Sequence, residues 1–453
     1  MTRLLAFLMV VAVLSAAAAW IADRPGAVSL RWQGWQVDTS VAVLVLAIAV
    51  LGALVAAAYN LYRWLVVSPR TIRRFRTERR RQRGYRALTR GLVAAAAGDA
   101  PGARAAARDA EALLGEPPLT LLLTAQAAQL DGDSRAAGVA FRRMLEHDQT
   151  EFLGLRGLLV QAVRKGDAAT ALTLARRAYQ INPGAAWVLD NLIQLESAAG
   201  NWDGAETAVA SAVKARRLAH AEGARKRALF DLERARAADA AGDAAGALGL
   251  AKKALAKEPD LVPAIALAAR LMIARGQARG ARRLIERSWP ACAHPDLARA
   301  YAAAAPDGGA LAKVKALERL VDACPGEVEG HVALAGAAIE AGLWGTARNH
   351  LGRAEALRES AAVFRLRAEL EEAETGDVES ARSWWRKAAE APPDPVWLCR
   401  RCGAPAGTWT LICAACGAVD SLAWRTPPVA AAAPASPLLA PAPAAALRIE
   451  RQG

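Results

Sequence analysis

The sequence predicts an all-α chain in which two transmembrane helices lead into a solenoid of stacked helix pairs, finished by a small four-cysteine knuckle. Three observations predict it. Two long uncharged runs lie before Arg63, a helix-turn-helix phrase recurs with a 34-residue period, and four cysteines near the end stand as two Cys-x2-Cys pairs. The composition agrees, because hydrophobic residues reach 54% while aromatics are only 5%, which suits alanine-rich, closely packed helices. A strand-rich fold draws more on Val, Ile, Thr and Tyr.

Leu4 to Ala22 runs nineteen positions without a charge. A cleaved signal peptide is the alternative, since Ser15 to Ala19 supplies small residues for a cleavage region. The run is longer than a signal core and reaches Trp20, an interfacial residue type, which favours an uncleaved span. Val41 to Tyr62 adds twenty-two uncharged residues, and about 20 residues of helix cross the hydrocarbon. Tyr59, Tyr62 and Trp64 then sit where an aromatic belt belongs. A buried helix of a soluble domain is the weaker alternative.

The flanks set orientation. Asp23, Arg24, Arg31 and Asp38 leave the loop between the runs neutral, whereas Arg63 to Arg90 holds eleven arginines against one acid, Glu78. Positive charge stays inside, so both termini and the bulk of the chain are expected on the cytoplasmic side of a bacterial inner membrane. Trp32 and Trp35 fall in the short external hairpin. The formal charge of +14 is therefore largely local, because that segment's +10 leaves +4 for everything else. These arginines suit anionic lipid headgroups, and no nucleic acid is expected as a partner.

The repeating phrase reads GDAPGA (Gly98 to Ala103), GDSRAA (Gly132 to Ala137), GDAATA (Gly166 to Ala171) and GNWDGA (Gly200 to Ala205). After an eight-residue insertion it returns as GDAAGA (Gly242 to Ala247) and GQARGA (Gly276 to Ala281), then as GLWGTA (Gly342 to Ala347) and GDVESA (Gly376 to Ala381). The gap of 66 residues before Gly342 predicts one degenerate copy around Gly309 to Pro325. Glycine supplies a turn that a side chain resists. The alanine five residues on lets the second helix approach the first, and Pro183, Pro259 and Pro393, each twelve residues after such an alanine, end it. This register resembles tetratricopeptide repeats over roughly residues 84 to 394. Such units stack into a superhelix with a concave, partner-binding groove.

Expected boundaries follow: 1–64 membrane anchor, 65–90 arginine-rich juxtamembrane helix, 91–394 repeat solenoid, 395–427 metal-binding knuckle, 428–453 disordered Pro/Ala-rich tail. Groove candidates on first helices are Arg156, Gln161, Asn191, Gln194, Arg270 and His331, although a solvated helix face is the simpler reading of each. Trp187, Trp202 and Trp344 read as packing residues. Around the insertion, Lys214, Arg216, Arg217, His220, Arg225, Lys226 and Arg227 read as lengthened helices first and as a basic docking surface second.

Cys399, Cys402, Cys413 and Cys416 are candidate metal ligands. Two Cys-x2-Cys pairs ten residues apart place four thiolates at the corners of a tetrahedron, with Gly403 and Gly417 turning the chain after each pair. The metal replaces a core that so small a unit cannot build. Zn²⁺ in a structural role is expected, and iron takes the same ligand set. Trp409 and Trp424 are expected to cover the site, and the unit to pack near Trp384 and Trp385 or to bind a partner directly. Cys292 and Cys324 stand alone.

The order of the N-terminal runs, the arginine collar and the repeats, with the phrase YNLYRWLVVSPRTIRRFRTERRRQRGYRAL from Tyr59 to Leu88, resembles the HemY family of inner-membrane proteins. That resemblance implies a scaffold around late protoporphyrin or haem synthesis, its partners being haem-pathway enzymes. The knuckle resembles the rubredoxin-type end of lipopolysaccharide assembly protein B, which implies an adaptor acting through another enzyme or a protease. A direct haem or porphyrin carrier is a third reading. His147, His220, His294, His331 and His350 are scattered, no two forming an i, i+4 pair that would favour an axial ligand. There is no dinucleotide loop, nucleophile elbow or phosphate loop, so no enzymatic activity is expected.

Overall fold

Helix α1 (Thr2–Ala22) forms over the first uncharged run, and an antiparallel hairpin, β1 (Ala27–Trp32) and β2 (Trp35–Ser40), follows it. The hairpin turns on Gln33 and Gly34, at φ 52° and 86°, the left-handed pair that a two-residue hairpin needs. Helix α2 (Val41–Ala96) then runs 56 residues without a break. The computed structural model describes residues 2–23, 26–115, 118–306 and 308–428, and the chain forms two units, Met1–Thr150 and Glu151–Gly453.

In the first unit, Val41–Arg63 is the one stretch among the described residues that is long and apolar enough to cross a membrane; its mean hydropathy is 2.9 and none of it is buried. Tyr59 and Tyr62 at its end are exposed. The side chains of Trp32, Trp35 and Trp64, and the tail 429–453, lie outside the described residues. The expected boundaries at 64 and 90 both fall inside α2, which continues into the first repeat. There Ala87 and Leu88 bury against Ala107 and Ala110 of α3 (Ala100–Leu114) and Leu123 of α4 (Pro118–Leu130). A Cβ on Gly91 would stand 2.4 Å from Leu123 Cδ2, so this helix approaches its neighbour as closely as backbone allows. Helix α5 (Ser134–Met144) completes the unit's second pair.

The second unit carries α6 (Asp148–Lys165), α7 (Ala168–Ile181), α8 (Ala186–Ala198), α9 (Trp202–Lys214), α10 (His220–Ala240) and α11 (Ala244–Lys257). It continues through α12 (Val262–Ala274), α13 (Ala278–Cys292), α14 (Pro295–Ala303), α15 (Ala310–Ala323), α16 (Val328–Glu340), α17 (Trp344–Leu357), α18 (Ala361–Glu374) and α19 (Val378–Glu390). Even-numbered helices from α2 to α18 are the first helices of the repeats. The degenerate copy is the pair α14 and α15: α14 is cut to nine residues and the turn glycine is Gly308, at φ 62°.

The eight phrase glycines all adopt left-handed backbone, φ 67° to 85°, and the eight alanines from Ala103 to Ala381 are fully buried. The residue after the glycine has its own task. Asp99, Asp133, Asp167, Asn201 and Asp243 each accept a backbone N–H three residues on, capping the second helix. Buried acids between helices are paired. Glu196 accepts both arms of Arg176, at 2.7 and 2.8 Å, and the Asn201 amide, so its carboxyl is held below the ordinary range by Arg176 against the cost of burial.

The C-terminal sheet has β3 (Val396–Cys399) between β4 (Pro405–Ala406) and β5 (Leu422–Arg425), in the order β4-β3-β5. With the N-terminal hairpin, this sheet qualifies the all-α expectation: the chain is mostly helical, with strands where no 3.6-residue period exists.

Candidate metal centre and the face it packs on

Two matching turns build the cysteine cluster. Gly403 N–H donates to Cys399 O at 2.9 Å and Gly417 N–H to Cys413 O at 2.8 Å, while Cys399 and Cys413 N–H donate to Ala404 O and Ala418 O. Both glycines are left-handed, at φ 72° and 68°. Each turn presents two thiols, and all four sulfurs lie within 4.8 Å of one another. Cys399 and Cys416 Sγ are 3.6 Å apart and Cys402 and Cys413 Sγ 3.8 Å. Tetrahedral thiolates at about 2.3 Å from Zn²⁺ stand roughly 3.8 Å apart, so the donor set fits such an ion. Burial opposes ionisation of Cys399, but Ser421 Oγ at 3.3 Å and the amides of Cys402 and Arg401 bring its thiol down to about 6. The four cysteines are positioned to bind a metal ion.

The knuckle does not pack near Trp384 and Trp385. Trp384 stacks on Phe364 under Arg367 and Lys387, and Trp385 Nε1 donates to Glu372. Instead the knuckle lies against the middle of its unit. Arg225 Nε and Nη2 donate to both oxygens of Asp420 at 3.1 and 3.0 Å, and Nη1 donates to Glu258 at 3.1 Å. The His294 ring lies tilted against Trp424, centroids 4.2 Å apart, and stacks on Trp397 at 5.3 Å. Its Nδ1 accepts the Asp296 N–H, and burial lowers its pKa, keeping it neutral. Arg236 lies 4.8 Å over Trp409. Both tryptophans expected to cover the metal thus face the repeats.

This placement builds a pocket. The first helices α10, α12 and α14 supply Arg236, Leu267, Arg270 and Arg299, and the knuckle supplies Thr408 and Trp409, around a cavity of about 570 Å³. Arg270 is held by Asp239 and Arg299 by Asp296. Of the sequence-predicted groove residues, Arg270 alone lines it. Arg156 and Gln194 are exposed, Gln161 is half-buried, and Asn191 donates to Trp187 O one turn back.

His331 is not a groove residue. It is 1% exposed, and its Nε2 meets Pro325 O at 2.9 Å. A carbonyl only accepts, so that nitrogen carries the proton and Nδ1 accepts from His350 Nδ1, also at 2.9 Å. Both nitrogens of His331 are occupied, which removes it as an axial haem ligand. The sequence hid this pair because 19 residues separate its members. Trp187 and Trp202 do pack, against Phe152 and Phe230. The insertion lengthens α10 to 21 residues, the simpler of the two readings, and of its basic residues Arg225 is the one bonded to the knuckle.

Comparison with known proteins agrees with this architecture. Residues 26–132 match the model of the HemY protein N-terminus, and residues 238–305 match a tetratricopeptide repeat model. The chain is similar to a protein of Magnetospirillum gryphiswaldense described as probable magnetosome protein Mms48, 29% identical over 430 residues and covering 93% of each chain. Among solved structures, a tetratricopeptide repeat protein from Parabacteroides merdae matches at 16% identity and TM-score 0.28, over 53% of this chain and 92% of that one. MamA matches at 16% and 0.27, over 39% and 92%. With TM-scores this low, the repeat architecture rests on the period, the glycine turns and the buried alanines.

Proposed function

We propose, for a chain that carries a HemY-type N-terminal region and tetratricopeptide repeats, a non-enzymatic scaffold of the bacterial inner membrane. It gathers protein partners of late haem or protoporphyrin synthesis on its first-helix face. The observation that carries a partner-binding role is the open pocket between α10, α12, α14 and the knuckle. It combines apolar floor with fixed guanidinium groups, the mixture that anchors a peptide segment. The match of residues 26–132 supports the haem association.

In this reading α1 and the apolar part of α2 both span, with the repeats and both termini cytoplasmic, as the arginine excess after Arg63 favours. Cys399, Cys402, Cys413 and Cys416 hold a structural Zn²⁺, or iron in the same ligand set, which supplies rigidity rather than chemistry. A second reading, an adaptor for lipopolysaccharide assembly acting through a partner enzyme or protease, draws on that same knuckle and its seat on the repeats.

Deletion of the chain separates the readings. The haem reading expects porphyrin intermediates to accumulate and terminal haem enzymes to co-purify with the full-length protein from solubilised membranes. Normal porphyrins with altered lipopolysaccharide contradict it and favour the adaptor. A Soret shift on titrating haem into the purified protein would instead assign it direct haem binding.

A further inference from the structure

One face of α2 is used by neither the apolar stretch nor the repeat core. Arg76, Arg79, Arg83, Arg86 and Arg90 follow one another at alternating three- and four-residue steps, which sets them in a single stripe along the helix. All five are exposed, and none has an acidic partner among the described residues. Gly84, Ala87, Leu88 and Gly91 are buried on the adjoining face, so packing of the first repeat fixes the direction in which the stripe points. Past Arg90 the same face continues as Val93, Ala94 and Ala97. There, with Leu113 of α3, with Asp99, whose carboxylate caps Gly102 N–H, and with Arg83, Arg86 and Arg90, it borders an open cavity of about 920 Å³. The surface is thus cationic along its length and apolar at one end.

The unbroken helix decides among occupants. If Val41–Arg63 spans, a rise of about 1.5 Å per residue carries Arg76 roughly 20 Å and Arg90 roughly 40 Å beyond the last membrane residue. Screening extends only about 8 Å at physiological salt. A helix that leaves the bilayer along its own axis carries such a stripe away from the lipid headgroups. A second copy of the chain would set arginine against arginine, and a nucleic-acid backbone would leave the apolar end uncovered.

We propose that the stripe docks an acidic amphipathic helix of a partner protein, with carboxylates at three- and four-residue spacing along Arg76 to Arg90 and small apolar side chains against Val93, Ala97 and Leu113. This goes beyond the scaffold reading, and it can fail while the pocket over α12 still binds.

The test uses the full-length protein in nanodiscs of phosphatidylcholine, titrated with a fluorescent helical peptide carrying glutamates in that pattern and a Leu/Ala end. Controls are a scrambled peptide of equal composition, phosphatidylglycerol vesicles and a short DNA duplex. The patterned peptide is expected to bind at least about tenfold more tightly than the scrambled one, as several weak surface pairs add together. Arg83→Glu, Arg86→Glu and Arg90→Glu together should lose that preference and gain one for a lysine-patterned peptide, and the corresponding lysine variant should retain glutamate binding. Where the triple reversal lowers helicity, Arg86→Gln with Arg90→Gln gives the same reading at smaller amplitude. Equal binding of the scrambled peptide overturns the proposal, as does tighter binding to the anionic vesicles or to the duplex.

Discussion

The repeats and the knuckle solve the same problem by opposite means. In the repeats, order is distributed: eight alanines are fully buried one turn into successive second helices, each doing a little. In the knuckle, order converges on four sulfurs within 4.8 Å of one another, with a sheet of only short strands around them. The repeats should therefore yield gradually to substitution. The knuckle should fail at once when its centre is removed, and substitutions of graded severity can break or sharpen that contrast.

The largest effect belongs to the cysteines. Structural zinc contributes on the order of 10–16 kcal/mol in small metal domains, so Cys402→Ser with Cys413→Ser should abolish stoichiometric metal in elemental analysis. Residues 395–427 should become protease-sensitive while the helical circular dichroism stays nearly unchanged. A knuckle that stays resistant would show that its seat on the repeats, not the ion, orders it.

Overpacking a repeat comes next. Ala247→Leu should cost about 1–3 kcal/mol, since a branched side chain must enter a fully packed helix pair. Urea denaturation would measure it, and a cost near zero would argue against tight stacking there. Arg225→Ala removes the bidentate partner of Asp420, whose side chain is 8% exposed, from a guanidinium that is one-third exposed. A loss of about 1–2 kcal/mol is expected, less than for a fully buried pair. It should appear as knuckle proteolysis with the metal still bound, which separates docking from folding.

Smaller still is the cap. Asp243→Ala leaves Gly246 N–H without its acceptor and should cost about 1 kcal/mol. The smallest expected effect is a pH dependence. Burial, then the neighbouring His331 and Arg353, hold His350 below its ordinary pKa. The folded state thus binds this proton less readily than the unfolded chain. Its contribution is fully present above about pH 6.5 and is lost as pH falls through the depressed folded value. His350→Gln should flatten that part of the stability profile, and an unchanged slope would remove His350 as its source.

Much of this was legible because local rules carry it. A left-handed glycine, a buried alanine and a terminating proline recur at fixed offsets, and no long-range information is needed to find Gly98 or Ala205. The capping role of Asp99 and its counterparts is open to the same reading, since aspartate directly before a helix is a cap signal. Four sulfurs at Cys-x2-Cys spacing were equally local. What stayed hidden depends on how the chain folds back. Asp420 meets Arg225 across 195 residues, and His331 meets His350 through the packing of α16 on α17. No periodicity announces that Trp409 lies under the Arg236 guanidinium.

Site-specific photocrosslinking in native membranes tests the central claim most directly, with the crosslinker at Leu267 on α12 and, for comparison, at Gly249 on the second helix α11. The account predicts discrete protein adducts from position 267, lost when Cys402 and Cys413 are replaced, and none from 249. Equal adducts from both positions, or adducts at 267 indifferent to the cysteines, would contradict a partner-binding face completed by the knuckle.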